Sequence, residues 1–205
     1  MKPKYWNRGK LYLSNKDKVL KNLINEFSNE YIELNTNYYH SLINAIIGQQ
    51  ISVLAANSIK KKFFNLNKNI TPKYILKIHL FTLKKTGLSR QKIQYIRNIS
   101  LFFIQNKIFI NKMKTYDEET IREKLITIKG VGNWTIDMFL IFSYGHQNIF
   151  PKGDLGFNKA ISKLYKKKLP LSDKYLLKIF KLWTPYNSMA TWYLWRSLDP
   201  IPISY

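Results

Sequence analysis

The sequence predicts an all-α protein, and two observations support this prediction. Apolar residues recur at spacings of three and four along most of the 205 residues, for example at Val19, Leu20, Leu23, Ile24 and Phe27. No segment shows the alternation of apolar and polar residues that is typical of a half-buried strand. With 45% apolar and 15% aromatic residues, the chain can also form a packed core.

Apolar spacing and capping residues place the predicted helices of the first half. An amphipathic helix covers 17–33, and an apolar run predicts the next helix at 39–47. Ser52 is a suitable N-cap for a helix over 53–64, because its hydroxyl can accept a hydrogen bond from a first-turn N–H. Thr71-Pro72 opens a short helix, since proline is tolerated in a first turn.

The middle of the chain contains further helices separated by turns. A turn at 86–89 precedes a helix that ends near residue 105, and a capping box at 115–118 opens a helix to about residue 128. Residues 133–144 are apolar on nearly every face, so this helix is expected to be buried, and Gly145 ends it.

Three helices complete the prediction, at 154–168, 172–182 and 186–197. They bring the expected total to eight to ten short helices. Because no polar linker is long enough to separate independent domains, the lobes of the chain are expected to share a core.

The strongly basic composition points to a polyanionic partner. The chain has 34 Lys and Arg residues against 12 Asp and Glu residues, a formal charge of +22. Such a charge favours nucleic acid, with strong salt dependence. Since 29 of the basic residues are lysine, the coding bias of an AT-rich genome is an alternative explanation. That bias does not account for the scarcity of acidic residues.

The residues that the chain lacks exclude several kinds of site. It contains no cysteine, which excludes disulfides, iron–sulfur clusters, thiolate zinc sites and cysteine nucleophiles. The histidines, His40, His79 and His146, are scattered without the spacing of metal ligands. No run of about 18 apolar residues predicts a membrane span. The N-terminus lacks the apolar stretch of a signal peptide.

Residues 125–135 have the pattern of a helix-hairpin-helix. Gly130-Val131-Gly132 separates two predicted helices, and Asn133 begins the second. Because the glycines carry no Cβ, backbone N–H groups of this turn can face a DNA phosphate directly, without reading sequence. A plain turn between two helices with a glycine C-cap is the alternative.

A loop downstream of the hairpin carries a carboxylate. Phe150-Pro151-Lys152-Gly153-Asp154 places Asp154 22 residues after Gly132. Hairpin, loop and aspartate together resemble the helix-hairpin-helix (HhH-GPD) DNA glycosylase superfamily, and most closely its DNA-3-methyladenine glycosylase II branch. Segments at 45–52, 87–92, 183–188 and 193–196 also resemble that branch, so the resemblance covers about 39–198.

The resemblance implies a fold of two helical lobes with the active-site cleft between them. One is expected to be a six-helix lobe over 39–147 that includes the helix-hairpin-helix at about 117–144. The other is expected to join 1–38 to 148–205 and to carry the catalytic aspartate and the C-terminal pocket aromatics. The N-terminal β-rich domain of larger relatives is expected to be absent, because only about 38 residues precede the matching region.

The activity implied by the resemblance is hydrolysis of the N-glycosidic bond of alkylated purines in duplex DNA, by base flipping. Asp154 is the implied catalytic residue, because a carboxylate stabilises an oxocarbenium-like sugar and can orient or deprotonate a water. On the residues alone, Asp154 is equally well explained as a helix N-cap. Bifunctional relatives carry a nucleophilic lysine where this chain has Trp134, so base release without strand cleavage is implied.

Three side chains are implied to line the base pocket. Trp195 matches the aromatic residue that stacks on the extruded base, where its π face attracts a cationic purine such as 3-methyladenine or 7-methylguanine. Trp134 and Met138, one helical turn apart, are the other two pocket residues. For Trp134, simple core packing is the alternative.

The early loop matches the segment that supplies a wedge in relatives. Gln50 is the implied wedge, which fills the gap left by the flipped base. Its neighbour Gln49 is expected to bond to backbone within the loop, and an ordinary loop pair is the alternative for both. Asn187 departs from the family pattern, which has arginine there, and the change removes a bidentate anchor.

The remaining implications concern ligands and partners. The backbone carbonyls of Ile126, Ile128 and Val131 are implied to hold a structural Na⁺ or K⁺ ion, and no other cofactor is expected. The expected partner is double-stranded DNA that contains damaged bases. The protein is expected to be a monomer that acts in base excision repair inside the cell, with no membrane contact. The alternative function is a non-catalytic helix-hairpin-helix module that only grips DNA, which would have no use for Asp154 or Trp195.

Overall fold

The computed structural model describes residues 1–199, and its regular structure is helical, which confirms the all-α class. The end of the second predicted lobe, 200–205, lies outside the described residues. Within them there are thirteen α-helices, a 3₁₀ turn at Met113–Thr115 and a π-helical turn at Leu140–Tyr144. The α-helices are α1 Trp6–Lys16, α2 Lys18–Glu26, α3 Tyr38–Gly48, α4 Val53–Phe64, α5 Pro72–Lys77, α6 Leu80–Lys85, α7 Arg90–Gln105, α8 Lys107–Asn111, α9 Glu118–Leu125, α10 Asn133–Phe139, α11 Leu155–Leu164, α12 Asp173–Trp183 and α13 Asn187–Arg196.

The chain divides into two compact units. Unit 1 combines residues 1–35 with the described residues from 140 onward, and unit 2 consists of residues 36–139. The second boundary falls where α10 passes into the π-helical turn, eight residues before the predicted boundary at 147. Unit 2 holds eight α-helices where six are predicted, because α6 and α8, with six and five residues, are too short for a helical period to be read.

The N-terminal region differs from its prediction. α1 occupies a stretch for which no helix is predicted, and it buries Trp6, Gly9 and Leu13. Since one of these three positions is a glycine, the buried stripe does not stand out as an apolar pattern. The next helix, α2, is shorter than predicted, because the chain turns away at Phe27, whose carbonyl accepts the N–H of Glu30.

Capping residues mark most helix starts correctly. Ser52 and Thr71 cap α4 and α5, and each hydroxyl accepts a first-turn N–H. The predicted capping box at 115–118 is wrong, because Thr115 belongs to the preceding 3₁₀ turn and Asp117 is the residue that caps α9. α9 then ends at Leu125, three residues before the predicted end.

α3 is the central helix of unit 2. Helices α4, α7 and α10 pack against it. Seven of its eleven residues are buried, namely Tyr39, Ser41, Leu42, Ile43, Ala45, Ile46 and Ile47. Because each buried Leu or Ile contributes roughly 1.5–3 kcal/mol, the position of α3 is strongly determined. The loop that follows it, 49–52, therefore leaves the core from a fixed point.

α13 has the same central place in unit 1. It is buried from Asn187 to Trp195, and α1, α2, α11 and α12 pack against it. Trp6 of α1 meets Trp192 edge-on, with ring centroids 5.4 Å apart, and lies 5.7 Å from the ring of Tyr193. Such aromatic pairs add to the apolar burial, so α1 helps to hold α13 in place.

Asp17 is a buried carboxylate, 7% exposed, that ties three parts of unit 1 together. Its Oδ1 accepts the N–H groups of Val19 and Leu20, which caps α2. Its Oδ2 accepts the Tyr165 hydroxyl at 2.7 Å and the Trp183 indole N–H at 2.9 Å. These four donors offset the cost of removing the carboxylate from water.

We predict that Asp17→Ala lowers the free energy of unfolding by about 3 kcal/mol, because a cap and two further buried donors lose their acceptor. Urea denaturation measures the change. Asp173→Ala is the matched control, since Asp173 is exposed in the first turn of α12. A loss at Asp17 no larger than at Asp173 would contradict the assigned role.

A second stability prediction concerns Lys60 on α4. Burial lowers the pKa of Lys60 from 10.5 to about 8. In the unfolded chain this pKa has its ordinary value, so the folded protein loses the proton first, and the free energy of unfolding rises with pH. Between pH 7 and 9 we expect a rise of about 1 kcal/mol from this group. Urea denaturation across that range should show the rise in the wild type and in Lys62→Met, whereas Lys60→Met should lack it.

Candidate functional site

Asp154 lies at the junction between a loop and α11, in unit 1. It is partly exposed and is the N-cap of α11, because its Oδ1 accepts the N–H of Phe157. The same Oδ1 accepts the indole N–H of Trp195 at 2.9 Å. The N-cap interpretation of Asp154 therefore describes a real contact. The second donor comes from a helix 41 residues away in the chain, which a simple cap does not require.

Trp195 is 4% exposed and lies beside Asp154. Its ring stacks on Phe142 with centroids 6.1 Å apart and planes 16° from parallel. Gly156 borders both partners, because a Cβ at this position would lie 3.2 Å from Asp154 Oδ1 and 3.6 Å from Trp195 Nε1. A side chain at position 156 would therefore crowd the Asp154 carboxylate and touch the indole.

The loop that leads to Asp154 is held by the start of α13. Ser188 Oγ donates to the carbonyl of His146 at 2.6 Å and accepts the N–H of Ile149 at 2.9 Å. The Asn187 amide donates to Asn148 Oδ1 at 2.6 Å. The N-terminal end of α13 therefore holds the loop, and the C-terminal end of the same helix holds Asp154.

The contacts of Asn187 and Ser188 to the loop of Asp154 are ones that sequence reasoning missed. Asn187 is fully buried, and it also donates to Thr184 Oγ1 at 3.1 Å. Its amide supplies a neutral anchor for the loop at the position where the family pattern has arginine. The residue types at 187–188 carry no signal for their partners at 146–149, because that pairing appears only in the folded chain.

The predicted hairpin lies in unit 2 between α9 and α10. Gly130 has φ +103°, and an added Cβ would collide with the Tyr95 ring. Glycine is therefore required at this position for two reasons, the positive φ and the close contact with the Tyr95 ring. At Gly132, by contrast, an added Cβ would meet nothing within 4 Å. Gly132 and Asn133 are exposed, and Val131 between the glycines is buried.

The other predicted site residues of unit 2 differ in exposure. Trp134 is half-buried and Met138 is 1% exposed, both on α10. Gln50 is exposed in the loop after α3, with φ +57°, a left-handed conformation that is rare for residues other than glycine. The hairpin residues Ile126 and Ile128 are exposed and buried, respectively.

The structure thus brings Asp154 and Trp195 into contact within unit 1, and it places Gln50, the hairpin, Trp134 and Met138 in unit 2. Over residues 1–199, no group of three His, Asp or Glu side chains is placed to hold a metal ion. In the same part of the chain, no helix is long and apolar enough to cross a membrane.

Comparison with known proteins identifies the family. A family model described as HhH-GPD superfamily base excision DNA repair protein matches residues 43–185. The chain belongs to this superfamily. Its relatives include DNA-3-methyladenine glycosylase 1 of Schizosaccharomyces pombe, 31% identical over 164 residues, or 78% of this chain and 72% of that protein. The DNA-3-methyladenine glycosylase of Saccharomyces cerevisiae is 31% identical over 195 residues, or 78% of this chain and 66% of that protein.

Solved structures of the superfamily share the fold. The 3-methyladenine DNA glycosylase of S. pombe, in complex with abasic DNA, superposes with a TM-score of 0.83 at 26% identity, over 97% of this chain and 100% of that one. The 3-methyladenine DNA glycosylase of Archaeoglobus fulgidus gives a TM-score of 0.77 at 26% identity, over 96% and 69% of the two chains. The predicted superfamily and helix-hairpin-helix fold are confirmed.

The contact between Trp195 and Asp154 can be tested without an activity assay. The chain has five tryptophans, so an NMR spectrum should show five indole N–H signals. We predict that Asp154→Ala moves mainly the signal that Trp195→Phe removes, and that its hydrogen exchange becomes faster because the acceptor is lost. Asp17→Ala is the control, which should move the Trp183 signal instead. An unchanged Trp195 signal in Asp154→Ala would contradict the contact.

Proposed function

We propose that this protein is a monofunctional DNA glycosylase that removes alkylated purines from duplex DNA by base flipping. The observation that carries the proposal is the Asp154 carboxylate held by Trp195, in a chain of the HhH-GPD superfamily. The similarity to proteins named DNA-3-methyladenine glycosylases supports the substrate class.

In the proposed mechanism, Asp154 stabilises the sugar as the N-glycosidic bond breaks. The bond to the base lengthens, positive charge develops on the deoxyribose, and a fixed carboxylate lowers the energy of that charge. A water then adds to the sugar carbon, and Asp154 orients it or takes its proton. Because Asp154 Oδ1 is fixed by two donors, little reorganisation is needed when the charge appears.

The alkylated base favours this chemistry by itself. A purine methylated at N3 or N7 carries positive charge, so it leaves as a neutral base and needs no general acid. Trp195, Trp134 and Met138 remain the proposed base-pocket residues, since aromatic and sulfur-containing surfaces attract a cationic ring. Trp134 in place of a lysine nucleophile supports base release without a Schiff base or strand cleavage.

The proposed DNA contacts in unit 2 are the hairpin and the wedge. Residues Gly130–Asn133 are assigned to phosphate binding, which the open space at Gly132 supports. Gln50 is assigned to the gap left by the flipped base, in keeping with its exposure. The net charge of +22 adds attraction to DNA that weakens as salt rises.

A monovalent cation at the hairpin is a further part of the proposal. The carbonyls of Ile126, Ile128 and Val131 are assigned as its ligands. The Ile128 carbonyl accepts the Val131 N–H at 2.9 Å, and a carbonyl has a second lone pair, so this turn is chemically suited to a Na⁺ or K⁺ ion. Such an ion would supply positive charge near a DNA phosphate. No cofactor for the chemical step is proposed.

The competing function is a module that grips DNA without catalysis. The hydrogen bond between Trp195 and Asp154 favours the enzyme over the binding module. A protein that only binds DNA has no need to fix an aspartate against an indole. Work on DNA places the protein wherever the cell keeps its genome, and we propose that it acts as a monomer.

The decisive test incubates the protein with methylated duplex DNA and then treats the DNA with hot alkali. We expect alkali-dependent strand breaks with the wild type and at least a hundredfold slower base release with Asp154→Asn. Asparagine can still cap α11, so binding to DNA that contains an abasic-site analogue should change less than threefold. Asp173→Asn, at an exposed aspartate, is the control and should retain full activity.

Three outcomes would overturn parts of the proposal. No base released from 3-methyladenine, 7-methylguanine, hypoxanthine or ethenoadenine would leave the DNA-binding module as the better function. Full activity of Asp154→Asn would remove Asp154 from catalysis. Strand cleavage without alkali would contradict the monofunctional assignment.

A further inference from the structure

Gln49 links the loop after α3 to the hairpin. Its side-chain Nε2 donates to the Gly130 carbonyl at 3.1 Å and to Thr135 Oγ1 at 2.9 Å. The expectation that Gln49 bonds within its own loop is therefore wrong, because its amide crosses to residues more than 80 positions away. Gln49 precedes the assigned wedge, Gln50. Its side chain therefore ties the wedge loop to the turn that is assigned to phosphate binding.

Lys92 holds the same loop from α7. Its half-buried ammonium donates to the carbonyls of Ile47 and Gln49, both at 2.8 Å. These carbonyls lie at the C-terminal end of α3, where backbone acceptors have no partner within the helix and a positive charge is favourable. Lys92 therefore fixes the peptide group that immediately precedes Gln50.

The left-handed backbone of Gln50 needs such support. A residue with a side chain pays a conformational cost at φ +57°, so the surrounding structure must impose this angle. The Gln49 N–H donates to the Ile46 carbonyl at 3.3 Å, and Ser52 begins α4 as its N-cap. With Lys92 on the Gln49 carbonyl, Gln50 is bounded by fixed groups on both sides.

α7 supports the hairpin as well as the loop. The Tyr95 ring lies directly against Gly130, and Asn98 Nδ2 donates to the Lys129 carbonyl at 2.9 Å. Lys92, Tyr95 and Asn98 are three residues apart, so they occupy successive turns of one side of the helix. The loop and the hairpin are thus attached to a common support as well as to each other.

We propose that Gln49 and Lys92 are positioning residues that make phosphate binding at the hairpin and insertion of Gln50 a single event. Gln49 and Lys92 hold the Gly130 carbonyl and the peptide before Gln50 in a fixed relation, so a phosphate bound at the hairpin and Gln50 in the DNA gap take up their positions together. The inference rests on the proposed function, since it takes the hairpin and Gln50 as the DNA contacts. It assigns no chemistry to either residue, because neither is required to touch the substrate.

The first test separates base flipping from the chemical step. Gln49→Met keeps the length of the side chain and removes the donor. On duplex DNA with 7-methylguanine opposite cytosine, we expect excision to slow at least tenfold. Opposite an abasic-site analogue the damaged base is already unpaired, so flipping costs less and the loss should fall below threefold. Gln105→Met is the matched control, because Gln105 is exposed at the C-terminal end of α7.

Lys92→Met tests the same link from α7, with Lys62→Met as the control for loss of one positive charge. We expect Lys92→Met to reproduce the substrate pattern of Gln49→Met, and Lys62→Met to affect both substrates equally. Equal losses on paired and unpaired lesions in both Gln49→Met and Lys92→Met would overturn the proposal, as would unchanged excision in both. Circular dichroism and urea denaturation show whether each variant is folded.

A second readout does not depend on excision. Hydrogen exchange measured by mass spectrometry should show that undamaged duplex DNA protects both 46–54 and 126–135 in the wild type. In Gln49→Met, DNA should still protect 126–135, whereas protection of 46–54 should fall. A wild type that protects only one segment, or a variant that keeps both, would overturn the coupling. If the wild type excises no base, the proposed function fails, and this measurement still decides whether the two segments are coupled.

Discussion

The arrangement of unit 1 depends on the burial of α13. That burial fixes the hydrogen bond from the Trp195 indole to the Asp154 carboxylate. This bond joins the helix that forms the centre of that unit to the end of an irregular loop. Three conditions support the bond: α13 is buried along its length, Phe142 stacks on the indole, and Gly156 leaves the Asp154 carboxylate uncrowded. Each condition is met by packing far more extensive than the bond itself, so a single polar contact is held with the rigidity of a core.

Unit 2 also holds irregular backbone in a defined shape, and it does so with different residues. Its loop and its hairpin expose backbone that must keep a defined shape while it remains available to a ligand. Long polar side chains on neighbouring elements provide that definition, with Gln49 and Lys92 donating to backbone carbonyls from half-buried positions. Buried donors of this kind lose their partners if the backbone moves, and this makes a displaced loop costly. Both units therefore order irregular backbone through side chains that start from well-packed helices.

Local signals in the sequence account for most of the fold and part of the candidate site. The caps Ser52 and Thr71 and the glycine turn were predictable because each is a relation between residues close in the chain. The position of Asp154 at the start of α11 was predictable because aspartate favours a helix N-cap, whereas its catalytic role was implied by the family resemblance. The partners of Gln49 and Asn187 were not, because a glutamine or asparagine bonds whatever the folded chain brings near. α1 was not predicted for a related reason. Its buried side is defined by its packing against α13 and contains a glycine, so it shows no apolar pattern in the sequence.

The packing of α1 also has a consequence for where this protein can be cut. The region that matches the family model begins at residue 43 and ends at 185, so it omits α1, α2 and α13. Yet inside that region α12 packs against α1 and α13, Phe142 stacks on Trp195, and the Trp183 indole donates to Asp17. A fragment trimmed to the family boundaries would leave large aromatic surfaces in water and a buried indole without its acceptor. The part of the chain that the family model matches is therefore smaller than the part that packs together.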